Sequence, residues 1–477
     1  MILSPLTRRA LMGGVLALGG LAALGRRPVA GQEGQAIRLA AGEVARRLLP
    51  DQPQPSMLRL YNETVMPVVR LQRGVPAALT LENGLPDEHT TIHWHGLRIP
   101  NAMDGVPYVT QPPVEPGEAF TYRFTPPDAG TFFFHPHCNT VEQLGRGLGG
   151  VLIVDGDAPQ PFDADLALAY KDWDLNDDGT LGPFLTLRGA AGPGTFGSLK
   201  TVNGTPVTDD ACPVYEVPAG ADLRLRVLNL DNTRLLRIAV EGAESWMIAT
   251  DGMPLAPLAL NFWNLGPAMR VDLAVRTPDE EGTEILVQNL RAAVPVVLAR
   301  LKVVGGPLGR AGKAPPALSV PFVPEPDLAD APTLRMVFSS APGPSEPPAE
   351  LADLPFADTL CLAPRTLWAI NAQTWPEDGH AHPPAPLAVL DRGRSYVLQL
   401  ENISKHTHPI HLHGHSFKVL SSSTDPDLPV HWADTTLLGP GERRQVALLA
   451  DNPGDWMFHC HIIEHQETGM MGIVRVA

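Results

Sequence analysis

Gly74-Val75-Pro76-Ala77-Ala78-Leu79-Thr80-Leu81-Glu82-Asn83 returns later in the chain as Gly393-Arg394-Ser395-Tyr396-Val397-Leu398-Gln399-Leu400-Glu401-Asn402. A third copy, Gly220-Ala221-Asp222-Leu223-Arg224-Leu225-Arg226-Val227-Leu228-Asn229, keeps the same spacing from glycine to asparagine. Each copy reads as a turn glycine followed by an alternating strand. The match continues downstream. Pro116-Gly117-Glu118 precedes His135 by the interval at which Pro440-Gly441-Glu442 precedes His459, and Gly130 and Gly454 fall in register. The middle copy, around Gly266-Pro267, is weaker. Such self-similarity means one supersecondary unit used repeatedly. The chain of 477 residues is therefore read as three copies of one β-domain, at 36–158, 159–306 and 333–477, with a Pro-rich surface linker at 307–332. Short strands separated by turns predict an all-β chain of three Greek-key β-sandwich domains.

Composition agrees. Gly (44) and Pro (50) are abundant, and apolar residues suffice for sizeable cores. The net charge of −16 argues against a nucleic-acid partner. The first 30 residues stand apart: Ser4-Pro5-Leu6-Thr7-Arg8-Arg9 precedes an apolar, Gly/Ala-rich run from Ala10 to Gly25. This reads as a twin-arginine signal peptide, 1–30, and predicts a periplasmic or otherwise exported protein. The run is about 16 residues, short of the ~20 that a membrane span needs, and no later segment qualifies, so no span is expected in the mature chain. Export permits disulfides. Of the four cysteines, Cys138, Cys212 and Cys361 could form at most one bridge, and the sequence does not choose the pair.

Most of the 16 histidines fall in four clusters. These are His93-Trp94-His95, His135-Pro136-His137, His408-Pro409-Ile410-His411-Leu412-His413, and His459-Cys460-His461-Ile462-Ile463-Glu464-His465. Residues two apart on a strand face the same side, so each His-x-His pair presents two imidazoles together. On an extended segment His459 and His461 point one way and Cys460 the other, so one short peptide can serve metals on both faces. Imidazoles with a single thiolate suit copper better than calcium or magnesium, and structural zinc usually wants more cysteine. Cys460, His408 and His465, with Met470 as a weak axial donor, make the two-His, one-Cys set of a blue-copper site. His93 and His95 align with His411 and His413, whereas the middle copy offers Ala239 and Glu241 there. The middle domain is thus expected to hold no copper and to act as a spacer or a wall of the substrate site.

These four motifs, in this order and spread over the whole mature chain, resemble those of the multicopper oxidases. The resemblance implies three cupredoxin domains and four coppers. By motif, His408, Cys460, His465 and Met470 would hold the type 1 copper, and His93 and His411 the type 2. His95, His135 and His461 would hold one type 3 copper, and His137, His413 and His459 the other. In the first copy the positions matching Cys460, His465 and Met470 are Pro136, Val141 and Arg146, so electrons are expected to arrive only through the third domain. Asp104 matches an acidic residue that the family places near the trinuclear cluster, and a proton-relay role is implied. One departure stands out: where several bacterial members carry a second relay carboxylate, this chain has Gln466, which cannot titrate. Glu467 would face differently and Glu464 reads as structural. His415 is expected near the site without binding metal, and His89, His380, His382, His406 and His431 read as surface or loop residues.

The implied function is a laccase-like oxidase that takes single electrons from a phenol or aromatic amine and reduces dioxygen to water. The rival enzyme is an oxidase of cuprous, ferrous or manganous ions. Twelve methionines scattered without a Met-rich segment tilt against the cuprous donor. The rival from another class is a copper-free cell-division binding protein, which the intact ligand set argues against.

Overall fold

The computed structural model describes residues 35–157, 160–208, 211–319, 323–341, 366–376 and 383–477. In it the three repeated decapeptides become the strands Ala77–Asn83, Asp222–Asn229 and Ser395–Asn402. Each takes a parallel neighbour on one edge and an antiparallel one on the other. The parallel neighbours are Gln35–Arg46, Ala164–Trp173 and Thr333–Ser340, each leading its own copy. The antiparallel ones are Ala119–Phe124, Arg270–Arg276 and Arg443–Leu449. Repetition in sequence is therefore repetition of pairing.

The asparagine that closes each decapeptide explains why it recurs. Asn83 Nδ2 donates to the carbonyls of Glu88 and Val114, and its Oδ1 accepts from Leu85 N–H. Asn229 makes the same three bonds with Arg234, Leu265 and Asp231. Asn402 repeats them with His406, Leu438 and Ser404. All three side chains are buried, so each satisfies backbone groups that would otherwise be stranded at a strand end, at about 1 kcal/mol per bond. The weak middle match also resolves. Gly117 and Gly441 sit at φ 82° and 69°, and the middle copy puts Ala268 in the same turn at φ 70°. The backbone shape is kept although the glycine that favours it is not.

Six sheets pair into three sandwiches: four strands on four, seven on five, and six on five. Each sandwich encloses its own apolar core. Trp94, Tyr122 and Phe134 lie in the first, Leu225, Val271 and Ile285 in the second, and Trp368, Phe417 and Trp456 in the third. Among the described residues α-helix is confined to three short segments, the longest of six residues, with one further 3-10 turn at Asn101–Met103. The all-β expectation holds. Between Val296–Val304 and Thr333–Ser340 the described residues form no strand or helix.

The sandwiches touch closely. Phe133 and Ile153 of the first pack against Leu228 and Leu230 of the second. A Cβ on Gly130 would fall 2.4 Å from the Gly252 carbonyl oxygen of the second sandwich. A Cβ on Gly454, at φ 138°, would fall 2.5 Å from the Asn101 side chain of the first. The two glycines in register thus let neighbouring sandwiches approach at equivalent places. Asn101 Nδ2 then donates to the Asp455 carbonyl, and Asn452 Nδ2 to that of Ile99. These bonds join the first sandwich to the third across the seam where the histidines gather.

Residues 1–30, read as a leader, lie outside the described residues, as do Cys361, His380 and His382. Cys138 and Cys212 are free thiols. Among the described residues no helix is long and apolar enough to cross a membrane.

Candidate metal centres

Two antiparallel strand pairs in matching register carry the His-x-His pairs. In the first sandwich His93–His95 pairs with Gly130–His135 so that His93 lies opposite His135. In the third, His408–Leu412 pairs with Gly454–Cys460 so that His411 lies opposite His459. Eight histidines on and just beyond these strands converge in the seam between the two sandwiches. The rings of His95, His135 and His461 form a triangle with centroids 5.9, 5.1 and 5.2 Å apart. Those of His137, His413 and His459 form a second, at 5.1, 5.5 and 5.2 Å. The remaining pair, His93 and His411, lies 5.8 Å apart beside both triangles.

The outer nitrogens hold these rings in place. His93 Nδ1–H donates to the Asp104 carbonyl at 2.9 Å, His135 to that of Pro136 at 2.9 Å, His411 to that of Asp434 at 2.8 Å and His459 to that of Cys460 at 3.0 Å. His413 Nδ1–H donates to Asp104 Oδ2 at 2.8 Å. Each bond fixes a tautomer whose Nε2 lone pair points inward. Those inward Nε2 atoms on His93, His95, His135, His137 and His411, and both ring nitrogens of His461, are buried with no hydrogen-bond partner. His413 Nε2 and His459 Nε2 face each other at 3.1 Å, although both tautomers leave a lone pair there. Two lone pairs so close repel unless a cation lies between them.

A second site lies on the other face of the same peptide. Cys460 Sγ is 3.5 Å from His408 Nδ1 and 3.7 Å from His465 Nδ1. The far nitrogen of His465 donates to the Gly192 carbonyl at 2.8 Å, and that of His408 shares a hydrogen bond with Ser404 Oγ at 2.8 Å. The two Nδ1 atoms stand 3.1 Å apart, the same arrangement of opposed acceptors beside a sulfur. The helix Ile463–Glu467 brings His465 back onto Cys460. Met470 is fully buried in the core cluster that holds Cys460 and Trp368, while Met471 packs elsewhere with Val106 and Met457.

Burial pushes His95, His135, His137, His408, His413, His459 and His461 well below the usual imidazole range. It lowers His465 to about 3. The rings are therefore neutral near pH 7, with lone pairs available to a metal. Burial also pushes the Cys460 thiol up, so a thiolate there needs a cation beside it. Neutral imidazoles, one thiolate and unpartnered inward nitrogens fit copper.

Several residues that sequence reasoning missed complete the seam. Arg270, from the middle sandwich, is fully buried and reaches Asp434 of the third with Nη1–Oδ1 2.9 Å and Nη2–Oδ2 2.5 Å. Asp434 Oδ1 lies 3.6 Å from His95 Nδ1 and 3.5 Å from His411 Nδ1. Burial opposes charge on Asp434, but Arg270 and His411 outweigh it and hold the carboxylate below its usual range. Asp251 accepts the N–H groups of Arg270, Asp434 and Thr435, and burial beside Asp434 lifts it to about 7. The available signal was Arg270-x-Asp272 on one strand beside Asp222-x-Arg224-x-Arg226 on another, a charged face in strands otherwise apolar.

Asp104 is buried between the two sandwiches, its Oδ1 3.2 Å from His93 Nδ1 as its Oδ2 holds His413. Gln466 is buried with Oε1 unpartnered. Glu467 accepts Thr140 N–H, and burial raises its carboxyl to about 7. Glu464 accepts from Thr186 and Thr195, tying the middle sandwich to the Cys460 loop, which is a structural task. His415 is buried with its Nδ1 on the His413 carbonyl. The reading of His431 as a surface residue is corrected: it is buried in the strand His431–Ala433 and donates to the Pro429 carbonyl. His406 lies, as read, in the loop before the strand His408–Leu412, with its ring 6.3 Å from that of His465. A cavity of about 400 Å³ opens beside it. A larger one, about 620 Å³ between Trp263 and His431, is lined by none of the metal-centre residues.

Three two-sheet sandwiches, a histidine seam and an adjoining Cys-His pair define a copper oxidase of the three-domain class. Comparison with known proteins agrees. Two family profiles, both described as multicopper oxidase, match residues 45–159 and 362–477. The chain is 39% identical to a multi-copper oxidase from Pseudomonas thermotolerans whose crystal structure superposes with a TM-score of 0.81. That match covers 94% of this chain and 100% of the other. It is 28% identical to the multicopper oxidase MmcO of Mycobacterium tuberculosis over 97% of this chain and 95% of that one. It is 26% identical to Laccase-3 of Botryotinia fuckeliana, over 85% and 98%. The chain belongs to the multicopper oxidase family. It is a copper-dependent oxidoreductase with dioxygen as electron acceptor.

Proposed function

We propose that the chain oxidises phenols or aromatic amines one electron at a time, as a laccase does. In this reading His408, Cys460, His465 and Met470 hold the type 1 copper, and His93 and His411 the type 2. His95, His135 and His461 hold one type 3 copper; His137, His413 and His459 hold the other. The observation that carries the assignment is the pair of opposed lone-pair contacts, His413–His459 and His408–His465, each at 3.1 Å on opposite faces of one peptide. Copper there supplies one-electron chemistry at the Cys460 site and the reduction of dioxygen to water at the trinuclear site.

The protein's own residues do the rest. The Cys460 backbone with His459 and His461 is a covalent link on the order of 10 Å between the two sites, about a sheet's thickness. Asp104 keeps the inward nitrogens of His93 and His413 aimed at the metals and, through the same carboxylate, relays protons to the reduced oxygen. The 36–158, 159–306 and 333–477 segments act as three cupredoxin units, with the middle one free of copper. Residues 1–30 act as a twin-arginine signal, so the enzyme works in the periplasm or beyond it.

The test is oxygen uptake by copper-loaded protein given a phenol, then Cu(I), Fe(II) or Mn(II). Faster turnover of the phenol is expected; faster turnover of a metal ion would overturn the substrate class. The loaded protein should be blue, and Cys460→Ser should lose both colour and donor oxidation while retaining trinuclear copper. A variant that stayed blue would overturn the ligand assignment.

A further inference from the structure

We propose that the cavity beside His406 binds an aromatic anion and selects it as the electron donor over metal cations. This rests on the reading of the Cys460 cluster as the electron-accepting site.

The cavity measures about 400 Å³, room for one substituted aromatic ring. It abuts the Cys460 cluster. Ile462 on its wall is two residues beyond Cys460, and Pro193 follows Gly192, whose carbonyl accepts His465 Nε2–H at 2.8 Å. A donor seated there is separated from His465 by one layer of protein.

Charge distinguishes this cavity. Lys200, Arg234, Arg291 and Lys405 line it, and no described carboxylate does, although the chain carries 52 acidic residues against 36 basic ones. Arg234 is paired with Asp172, and its Cζ stands over Phe196, 4.9 Å from the ring centre. Lys200, Arg291 and Lys405 have no carboxylate partner among the described residues. Partial burial, and after it the nearby Arg237, push the Arg291 guanidinium down. Pro193, Val296 and Ile462 add apolar walls. Cations over apolar and aromatic surface suit a ring bearing a carboxylate or sulfonate, and the same field repels Cu(I), Fe(II) and Mn(II). The redox balance is ordinary: each phenol loses one electron and one proton, and one dioxygen takes up four of each to give two waters.

The test uses copper-loaded protein and two probe pairs. Calorimetry compares 4-methoxybenzoate, which resists oxidation, with its methyl ester. Oxygen uptake compares 4-hydroxy-3,5-dimethoxybenzoate with its methyl ester. The anions should bind about tenfold or more tightly than the esters, with a preference that shrinks as salt is raised. Arg291→Glu with Lys405→Glu, both exposed positions, should abolish that preference in Kd and in KM. Lys302→Glu with Lys313→Glu, the same charge change at exposed positions outside the cavity, should keep it. If wild type shows no preference for the anion, or the double variant retains it, the cavity assignment is overturned, while consumption of the neutral ester leaves the reading of the Cys460 cluster standing. If the anion binds preferentially but only the ester drives oxygen uptake, the donor assignment falls; if neither drives it, the reading of the Cys460 cluster falls as well.

Discussion

Arg270 gives the sharpest test of how the seam is held together. Its guanidinium donates Nε–H to the Thr131 carbonyl at 3.2 Å and Nη1–H to that of Ala268 at 3.0 Å, besides its paired bonds to Asp434. Arg270→Met keeps much of the volume but strands a buried carboxylate that retains the Thr435 hydroxyl at 2.8 Å and the longer His411 Nδ1 contact at 3.5 Å. Removing one partner of a buried ion pair costs about 3–5 kcal/mol. The two orphaned carbonyls bring the expected loss to the upper end of that range. Asp434→Asn alone costs less, because Asp251 lies 3.5 Å from Arg270 and takes over as its counter-ion. In the double variant neither charge of the pair remains, so the two effects should fall short of additive by about 2 kcal/mol or more. Urea unfolding followed by circular dichroism and by tryptophan fluorescence measures all four corners of the cycle. Additivity within ~0.5 kcal/mol would refute the claim that this pair acts as a unit.

Two further outcomes are expected at the metals. His95→Ala or His137→Ala should leave the blue colour intact and stop oxygen uptake; a donor should bleach the band and air should not restore it, and normal uptake by either variant would sink the two-site scheme. Met470→Leu should keep copper and colour, cost less than ~1.5 kcal/mol in packing, and raise the type 1 potential, since a weak thioether donor favours Cu(II). Met471→Leu, on the opposite face, should leave the potential where it was. A redox titration of the blue band in which Met471 matters and Met470 does not would show the motif misread by one residue.

Legibility of the site differed by type of signal. The residues proposed to bind metal could be singled out because their chemistry is local: His-x-His pairs and His459-Cys460-His461 declare same-face and opposite-face geometry through the two-residue period of a strand. Gln466 was visible as a departure only through the family resemblance, since strand spacing says nothing of it. Arg270 and Asp434 were not, since they are 164 residues apart and neither sits in a motif. An aspartate three residues after His431 looks like any loop aspartate until the middle sandwich delivers a guanidinium to it.

The amino-acid order by itself determined the all-β class, the threefold repeat, the absence of histidines from the middle copy and the identity of the inward-facing imidazoles. Each of these follows from spacing along one strand or from comparing one copy with another. Only the tertiary structure brings those rings into triangles, each drawing on both the first sandwich and the third; in the sequence the grouping was implied by the family resemblance and not by any spacing. It also decided that the middle sandwich, bare of ligands, carries the buried cation that steadies Asp434 and much of the cationic wall beside His406. Such contacts arise where separately folded sheets meet, and no local period in the sequence records which faces will be brought together.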